Sequence, residues 1–428
     1  MLRDGGEAED RSAGEVKALL GTSWTVVGTL CFAVWQWALM VLAAHSAGGA
    51  EAVGALSVAL AISTPAFLLF GMSLRQVAAT DVQLKFADPE YLQIRALAVL
   101  AALAVNAMLG LAFSTPELFW LVIACSLLKA TESIADIAYG LKQRAGRDSD
   151  VGMSQAGKAI LQSLIFGILI HFGLSLTTAI VAIAALSLVL TLGFDGLTPA
   201  RIVNALSGRA RNHDLPSSAS RLVRSAAQSG IAACLVAVAA GLPRVLLEHE
   251  SGTAVVGAFT ATMWMFMPGH VVANAVCQSL LSRAALAQFN TGGISLTGYA
   301  AIFCGVSSMP ALLPGAFYLV TGIEPALLVF GSGFEVGGWL LLLATGANLA
   351  VAFASGCNYA AAAVHAHEAQ LKAALCSSAV CLMTCLATID AWGAAGAFGA
   401  VGAAALAQAA VSAAFLRRRL SSQEVRAT

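Results

Sequence analysis

The chain has 428 residues, 59% of them hydrophobic and only 11% charged, and its formal net charge is zero. A soluble domain carries about a quarter charged residues, so the composition excludes an ordinary water-soluble globular protein. A nucleic-acid-binding domain would carry a basic excess, and there is none. Long apolar stretches with few charges predict membrane spans instead, each needing about 20 residues.

Residues 1–17 are polar and acidic, with Glu7, Glu9 and Asp10, and lack the basic start of a signal peptide, so they are expected to form a cytoplasmic tail. Hydropathy then predicts about twelve spans. The first six run near 18–42, 53–74, 94–114, 118–140, 155–174 and 176–196. The second six run near 222–243, 254–277, 296–320, 336–358, 371–390 and 394–416, the tenth with an uncertain start because Leu327 to Phe330 could open it early. The expected organisation is an all-α polytopic membrane protein made of two six-helix bundles, 18–196 and 222–416. A polar cytoplasmic linker, 197–221, joins them, and a basic cytoplasmic tail, 417–428, follows. Placing both termini inside puts 21 of the 23 basic residues in cytoplasmic segments, as the positive-inside rule requires. The exceptions are Lys129, within the fourth span, and Arg244, at the outer end of the seventh.

The halves share a faint repeat. Val53-Gly54-Ala55-Leu56-Ser57 resembles Val256-Gly257-Ala258-Phe259-Thr260 at an offset of 203 residues, and each glycine precedes a proline, Pro65 or Pro268, by eleven. A repeat of six spans keeps the same orientation, a transporter design that places the substrate path between the halves. Pro65 and Pro268 are the expected hinges, because an interior proline removes a helix hydrogen bond.

A charge near the bilayer centre is costly and usually faces a cavity or a partner. Lys129, Glu132 and Asp136 fall on one face of the fourth span. They read either as a polar stripe lining a lumen or as an internally neutralised Lys129–Glu132 pair, with Asp136 alternatively anchoring the following loop. Gln155, Lys158 and Gln162 give the fifth span a second polar face, lumenal or interfacial. In the seventh span Arg221, Arg224 and Gln228 approach from inside, while Pro243, Arg244 and Glu248 close the outer end. Arg244 either pairs with Glu248 one turn on or forks onto phosphate oxygens. Asn274, Gln278 and Ser282 give the eighth span a polar face. Arg244, Lys129, Lys158, Arg224, Arg75 and Gln278 are the expected substrate contacts; Glu132, Asp136 and Glu248 are the expected coupling or gating groups.

The nine cysteines read as small buried hydrophobes, and His365, His367 and Glu368 as a solvated loop rather than a metal site. Gly393, Gly396, Gly399 and Gly402 suit close helix packing. With no Walker A pattern and no G-x-S-x-G nucleophile, the chain is expected to be neither an ATPase nor an enzyme, and no cofactor is expected.

The stretch Lys129-Ala130-Thr131-Glu132 through Asp136 and Tyr139 to Arg144 resembles the end of the fourth helix in bacterial polysaccharide-biosynthesis, O-antigen-type flippases. Gly241-Leu242-Pro243-Arg244 through Glu248 is similar to their Pro-Arg segment, and Ser63-Thr64-Pro65 on to Arg75-Gln76 to their second helix. These flippases belong to the multidrug/oligosaccharidyl-lipid/polysaccharide exporter superfamily, and the resemblance covers the first 290 residues best. It implies two bundles around a central, cationic cavity that opens alternately to each side of the bacterial inner membrane. It implies an undecaprenyl-diphosphate-linked oligosaccharide as substrate and a proton or sodium gradient as driving force. Membrane lipids, a glycan polymerase and glycosyltransferases are the expected partners, with no nucleic acid. Leu242 and Val245 depart from the polar and aromatic neighbours that usually flank the Pro-Arg pair.

Three rivals remain at this point. A cation-coupled drug or metabolite antiporter would carry a deep carboxylate in its first helix, and residues 18–42 contain none. A non-transporting scaffold for glycan assembly gains nothing from charge inside the membrane. A glycan polymerase or ligase needs a large outer loop that the sequence lacks.

Overall fold

The computed structural model describes residues 4–81, 83, 85–196, 215–286, 295–363 and 367–427, with side chains described from Trp24 onward except at 215–221, 224–225, 282, 286, 367–368 and 419–427. Its helices, in chain order, are α1 (Asp4–Ala44), α2 (Gly49–Gly71), α3 (Leu74–Thr80), α4 (Asp88–Phe113), α5 (Pro116–Arg144), α6 (Asp148–His171) and α7 (Leu176–Phe194). After the interval 197–214 come α8 (Leu215–Ser251), α9 (Thr253–Trp264), α10 (Met267–Leu286), α11 (Leu296–Ala311), α12 (Leu313–Thr321) and α13 (Pro325–Phe330). The last three are α14 (Gly338–Ala363), α15 (His367–Trp392) and α16 (Ala394–Ala427).

Helices are forced here, because only an α-helix satisfies its own backbone donors and acceptors in hydrocarbon. Local chemistry sets their ends. Thr115, Ser175 and Ser295 cap α5, α7 and α11 by accepting the backbone N–H of Leu118, Thr178 and Gly298. Twelve segments are long and apolar enough to cross a membrane, and they coincide with the expected twelve. Leu327 to Phe330 do not open the tenth span: they lie in the separate short helix α13, and the span begins at Gly338. The outer surface is apolar, with Leu97, Met108, Leu164, Val320 and Leu386 all exposed. A water-soluble monomer does not expose so many large apolar side chains along twelve membrane-length helices, so the chain is a multi-pass membrane protein.

The packing repeats. In the first half the first span packs on the fifth, the third on the fourth, and the fourth on the sixth; the same pairs recur among spans seven to twelve. Between the halves the main contacts run from α2 to α8 and α9, whereas α1 meets α10 and α13 only sparsely.

The faint repeat turns out to be the crossing itself. A Cβ added to Gly54 would lie 1.9 Å from the carbonyl oxygen of Thr253, and one added to Gly257 would lie 1.9 Å from that of Ala50. Thr253 is the repeat partner of Ala50, so the contact is reciprocal, as a two-fold axis demands. Thr260 donates to its own repeat partner, Ser57, at 3.0 Å. Farther along the seam, Gly241 lies against Ala61, and Gly230 against Leu69 and Met72. Lipid tails are as apolar as leucine, so helix association within a bilayer depends on such close approach.

The expected hinges fall differently. Pro65 lies inside the continuous α2, and that span breaks at Met72 and Ser73, whose φ angles are 47° and 49°. Such left-handed residues cost about 1–2 kcal/mol each, and Gly230 leaves room for the turn. The eighth span breaks at Met265 and Phe266, after which Pro268 sits in the first turn of α10, where no backbone donor is needed. Pro243, inside α8, strips the Ala239 carbonyl of its helical donor, and the Cys381 thiol donates to it at 3.2 Å.

Candidate functional site

The fourth and fifth turns of the α1 span bring Trp35, Gln36, Leu39 and Met40 to the wall of a cavity. They face the middle of α2, the centre of α5 and the Arg244 turn of α8 across this cavity of about 300 Å³. Lys129, Glu132 and Arg244 all line it, with Trp264 of α9 and Ser57 of α2. The two basic residues that stand apart from the cation-rich segments are therefore brought to one wall-to-wall space between the halves.

Lys129 donates to Glu132 at 2.7 Å, and both side chains are about four-fifths buried. The lumenal and the self-paired readings of this stripe describe the same arrangement: an ion pair that faces the cavity. Arg244 is different. Its Nη1 donates to the Ala240 carbonyl at 3.0 Å, and its buried Nε has no acceptor. Among the described residues no carboxylate pairs with Arg244, Glu248 included. A guanidinium held in a low-dielectric cleft without a counter-charge is set to receive an anion.

A second cavity of about 420 Å³ adjoins the first along α8, sharing Ala237 and Ala240. It is uncharged and carries three amides, Asn358, Gln370 and Gln408. Asn358 accepts from Ser412 at 2.9 Å.

The other expected site residues lie elsewhere. Asp136 anchors α3 and α4 to α5: Arg75 reaches it at 3.3 Å and Arg95 at 3.5 Å. Arg75 also donates to Gln143 at 3.1 Å, so neither Arg75 nor Asp136 faces the central cavity. Lys158 is on the far side of α5, bonded to Tyr139 at 3.1 Å, to Thr191 at 2.8 Å and to Asp195. Gln278 lies on α10, 3.5 Å from the Tyr359 hydroxyl. The Arg224 side chain and those of His365, His367 and Glu368 lie outside the described residues. Among the described residues no group of His, Cys, Asp or Glu could hold a metal ion.

Arg95 and Asp195 carry more of the structure than their surroundings in the sequence suggest. Arg95 stands at the start of the third predicted span, where a cation could reach the membrane surface, yet it is 4% exposed. Replacing Asp136 by asparagine is expected to lower stability by about 2–3 kcal/mol, somewhat less than the roughly 3–5 kcal/mol for orphaning a fully buried charge, since the carboxylate itself is partly exposed. Denaturation midpoints of wild type and Asp136→Asn check this; equal midpoints would show that Ser133, which accepts from Arg95 at 2.9 Å, suffices. Asp81, in the turn between α3 and α4, is also buried. Burial would raise its pKa, but the N–H groups of Lys85 and Phe86, the Tyr91 hydroxyl and nearby Arg144 together hold it below the ordinary carboxylate value.

No family model matches the chain. Its structure aligns with a MATE transporter from Vibrio cholerae, VcmN, over 96% of this chain and 98% of that one, at a TM-score of 0.63 and 14% identity. It aligns with a MOP-superfamily transporter from Pyrococcus furiosus over 96% of this chain and 95% of that one, at a TM-score of 0.56 and 14% identity. The fold is that of the MOP-superfamily transporters. In sequence the chain is 23% identical, over 245 residues, to the capsular polysaccharide biosynthesis protein CapF of Staphylococcus aureus. That match takes in 57% of this chain and 60% of CapF.

Proposed function

We propose that the chain is a flippase that moves an undecaprenyl-diphosphate-linked oligosaccharide from the inner to the outer leaflet of a bacterial cytoplasmic membrane by alternating access. The observation that carries this reading is Arg244, an uncompensated guanidinium facing Lys129 across the cavity between the halves. A diphosphate supplies two anionic centres, one for each cation, and the neutral amides of the adjoining cavity suit sugar hydroxyls. The likeness to a capsular polysaccharide protein and the quoted motifs point the same way. Glu132, the carboxylate of the central cavity, is the group for coupling to a proton or sodium gradient. Both termini lie in the cytoplasm in this reading, which places the cation-rich helix ends at the inner leaflet.

A drug antiporter is the second reading, favoured by the MATE transporter of Vibrio cholerae with which the structure aligns. Against it, α1 presents Trp35, Gln36, Leu39 and Met40 to the cavity, and no carboxylate. Reconstituted protein in liposomes carrying a fluorescent undecaprenyl-diphosphate glycan decides between them. Protein-dependent loss of leaflet asymmetry, faster under an imposed ion gradient, is expected. Cation-dye efflux from the same vesicles, with the glycolipid stationary, would establish the antiporter instead.

A further inference from the structure

A third cavity, of about 380 Å³, lies outside the central path. It is a groove between α6 and α7 at the cation-rich end of α5, and its charged floor and apolar walls have different origins. Lys142 comes from the last turn of α5 and Lys158 from the third turn of α6. Both ammonium groups meet a single carboxylate, Asp195, just after α7: Lys142 at 2.8 Å, Lys158 in a closer contact. The Asp195 side chain is fully buried, and Lys158 and Lys142 are 9% and 11% exposed. Ser154 also donates to Asp195, at 2.7 Å, and Lys158 lies over the Tyr139 ring.

The charges do not balance. Two lysines against one aspartate leave one positive charge in a site nearly closed to water. At the mouth, Arg147 and Asp150 neutralise each other, so they do not correct the excess. A buried, uncompensated charge is expensive unless an anion completes it. Above the lysines the groove is walled by Met153, Leu161 and Phe194, of which Met153 is 57% and Phe194 77% exposed. Apolar side chains so exposed on a membrane-spanning surface face acyl chains. Gly157 leaves open space where a Cβ would otherwise intrude.

We propose that this groove is a binding site for an anionic glycerophospholipid, whose phosphate completes the Lys142–Asp195–Lys158 cluster while its acyl chains lie along Met153, Leu161 and Phe194. The ligand is a structural or regulatory lipid of the surrounding leaflet. The site is separated from the central cavity by α5, and the proposal stands whether or not the central cavity carries a lipid-linked sugar. A zwitterionic headgroup brings its own ammonium and leaves the excess in place, so the site discriminates by net charge.

The test uses the full chain in lauryl maltoside micelles, titrated with phosphatidylglycerol, phosphatidylcholine or inorganic phosphate, with bound lipid counted by native mass spectrometry. One phosphatidylglycerol is expected to bind at least tenfold more tightly than phosphatidylcholine. Inorganic phosphate at matched concentration is expected not to displace it. Lys142→Gln removes the excess charge but leaves a neutral Lys158–Asp195 pair, so it should abolish the preference for phosphatidylglycerol. Gly157→Leu fills the groove without altering charge and should reduce binding of both lipids there, which keeps the test open if Lys142→Gln fails to fold. Equal binding of the two lipids by the wild type, or undiminished binding of phosphatidylglycerol in Gly157→Leu, would overturn the proposal. Full displacement by inorganic phosphate would make this a site for free anions and overturn it equally.

Discussion

Replacing Gly54 or Gly257 by alanine is expected to destabilise the protein by about 3 kcal/mol or more, at the upper end of what overpacking a tight contact costs. The added methyl would meet a backbone carbonyl at 1.9 Å in either case, and a backbone cannot swing aside as a flexible side chain can. The helices must separate, and the hydrogen bond between Ser57 and Thr260 must stretch with them. Because the two glycines share one crossing, the double variant should cost less than the sum of the singles. Thermal denaturation in detergent measures this, with Gly346→Ala as control: nothing lies within 4 Å of a Cβ there, so that change should be neutral or mildly stabilising. A Gly54→Ala protein that melts with the control would show that the crossing is not a tight constraint.

Replacing Arg244 by glutamine is expected to lower glycolipid translocation by about 30–100-fold, the equivalent of the roughly 2–3 kcal/mol that a charge-assisted hydrogen bond contributes. Stability should hardly change, since among the described residues no carboxylate pairs with Arg244 and its own Nε lacks an acceptor. That combination separates a ligand-binding cation from a structural one. Arg244→Lys keeps the charge but loses the two-pronged donor geometry, and should fall between wild type and glutamine. Lys129→Gln should have the smaller effect on translocation, because Glu132 at 2.7 Å already neutralises much of its charge. It should cost more stability than Arg244→Gln, because it leaves Glu132 unpaired inside the protein. Vesicle assays beside melting curves read both quantities, and a large stability loss in Arg244→Gln with transport intact would remove Arg244 from the substrate path.

These two sites mark the limits of what can be read from residues alone. Span number and placement were legible because a bilayer imposes one length and one polarity on every crossing. The Gly54 and Gly257 repeat was legible for a related reason: a two-fold crossing requires the same small residue twice at one offset. Lys129 and Arg244 stood out because charge in an apolar run is costly, wherever the fold then puts it. The partner of each charge was not legible, because partners come from helices distant in sequence. Lys129 does pair with Glu132 on its own helix, yet the pair faces a cavity that only the neighbouring helices create. Asp136 shares that helical face but lies two turns on from Lys129, where Arg75 and Arg95 draw it out of the cavity. Glu248 lies one turn beyond Arg244, with spacing right for an ion pair, and none forms. Asp195 ends an otherwise ordinary apolar span, and its importance appears only when α5 and α6 each deliver a lysine to it. Periodicity assigns a residue to a face of its helix; which other helix that face meets depends on the packing of all twelve spans, and so does the charge it finds there.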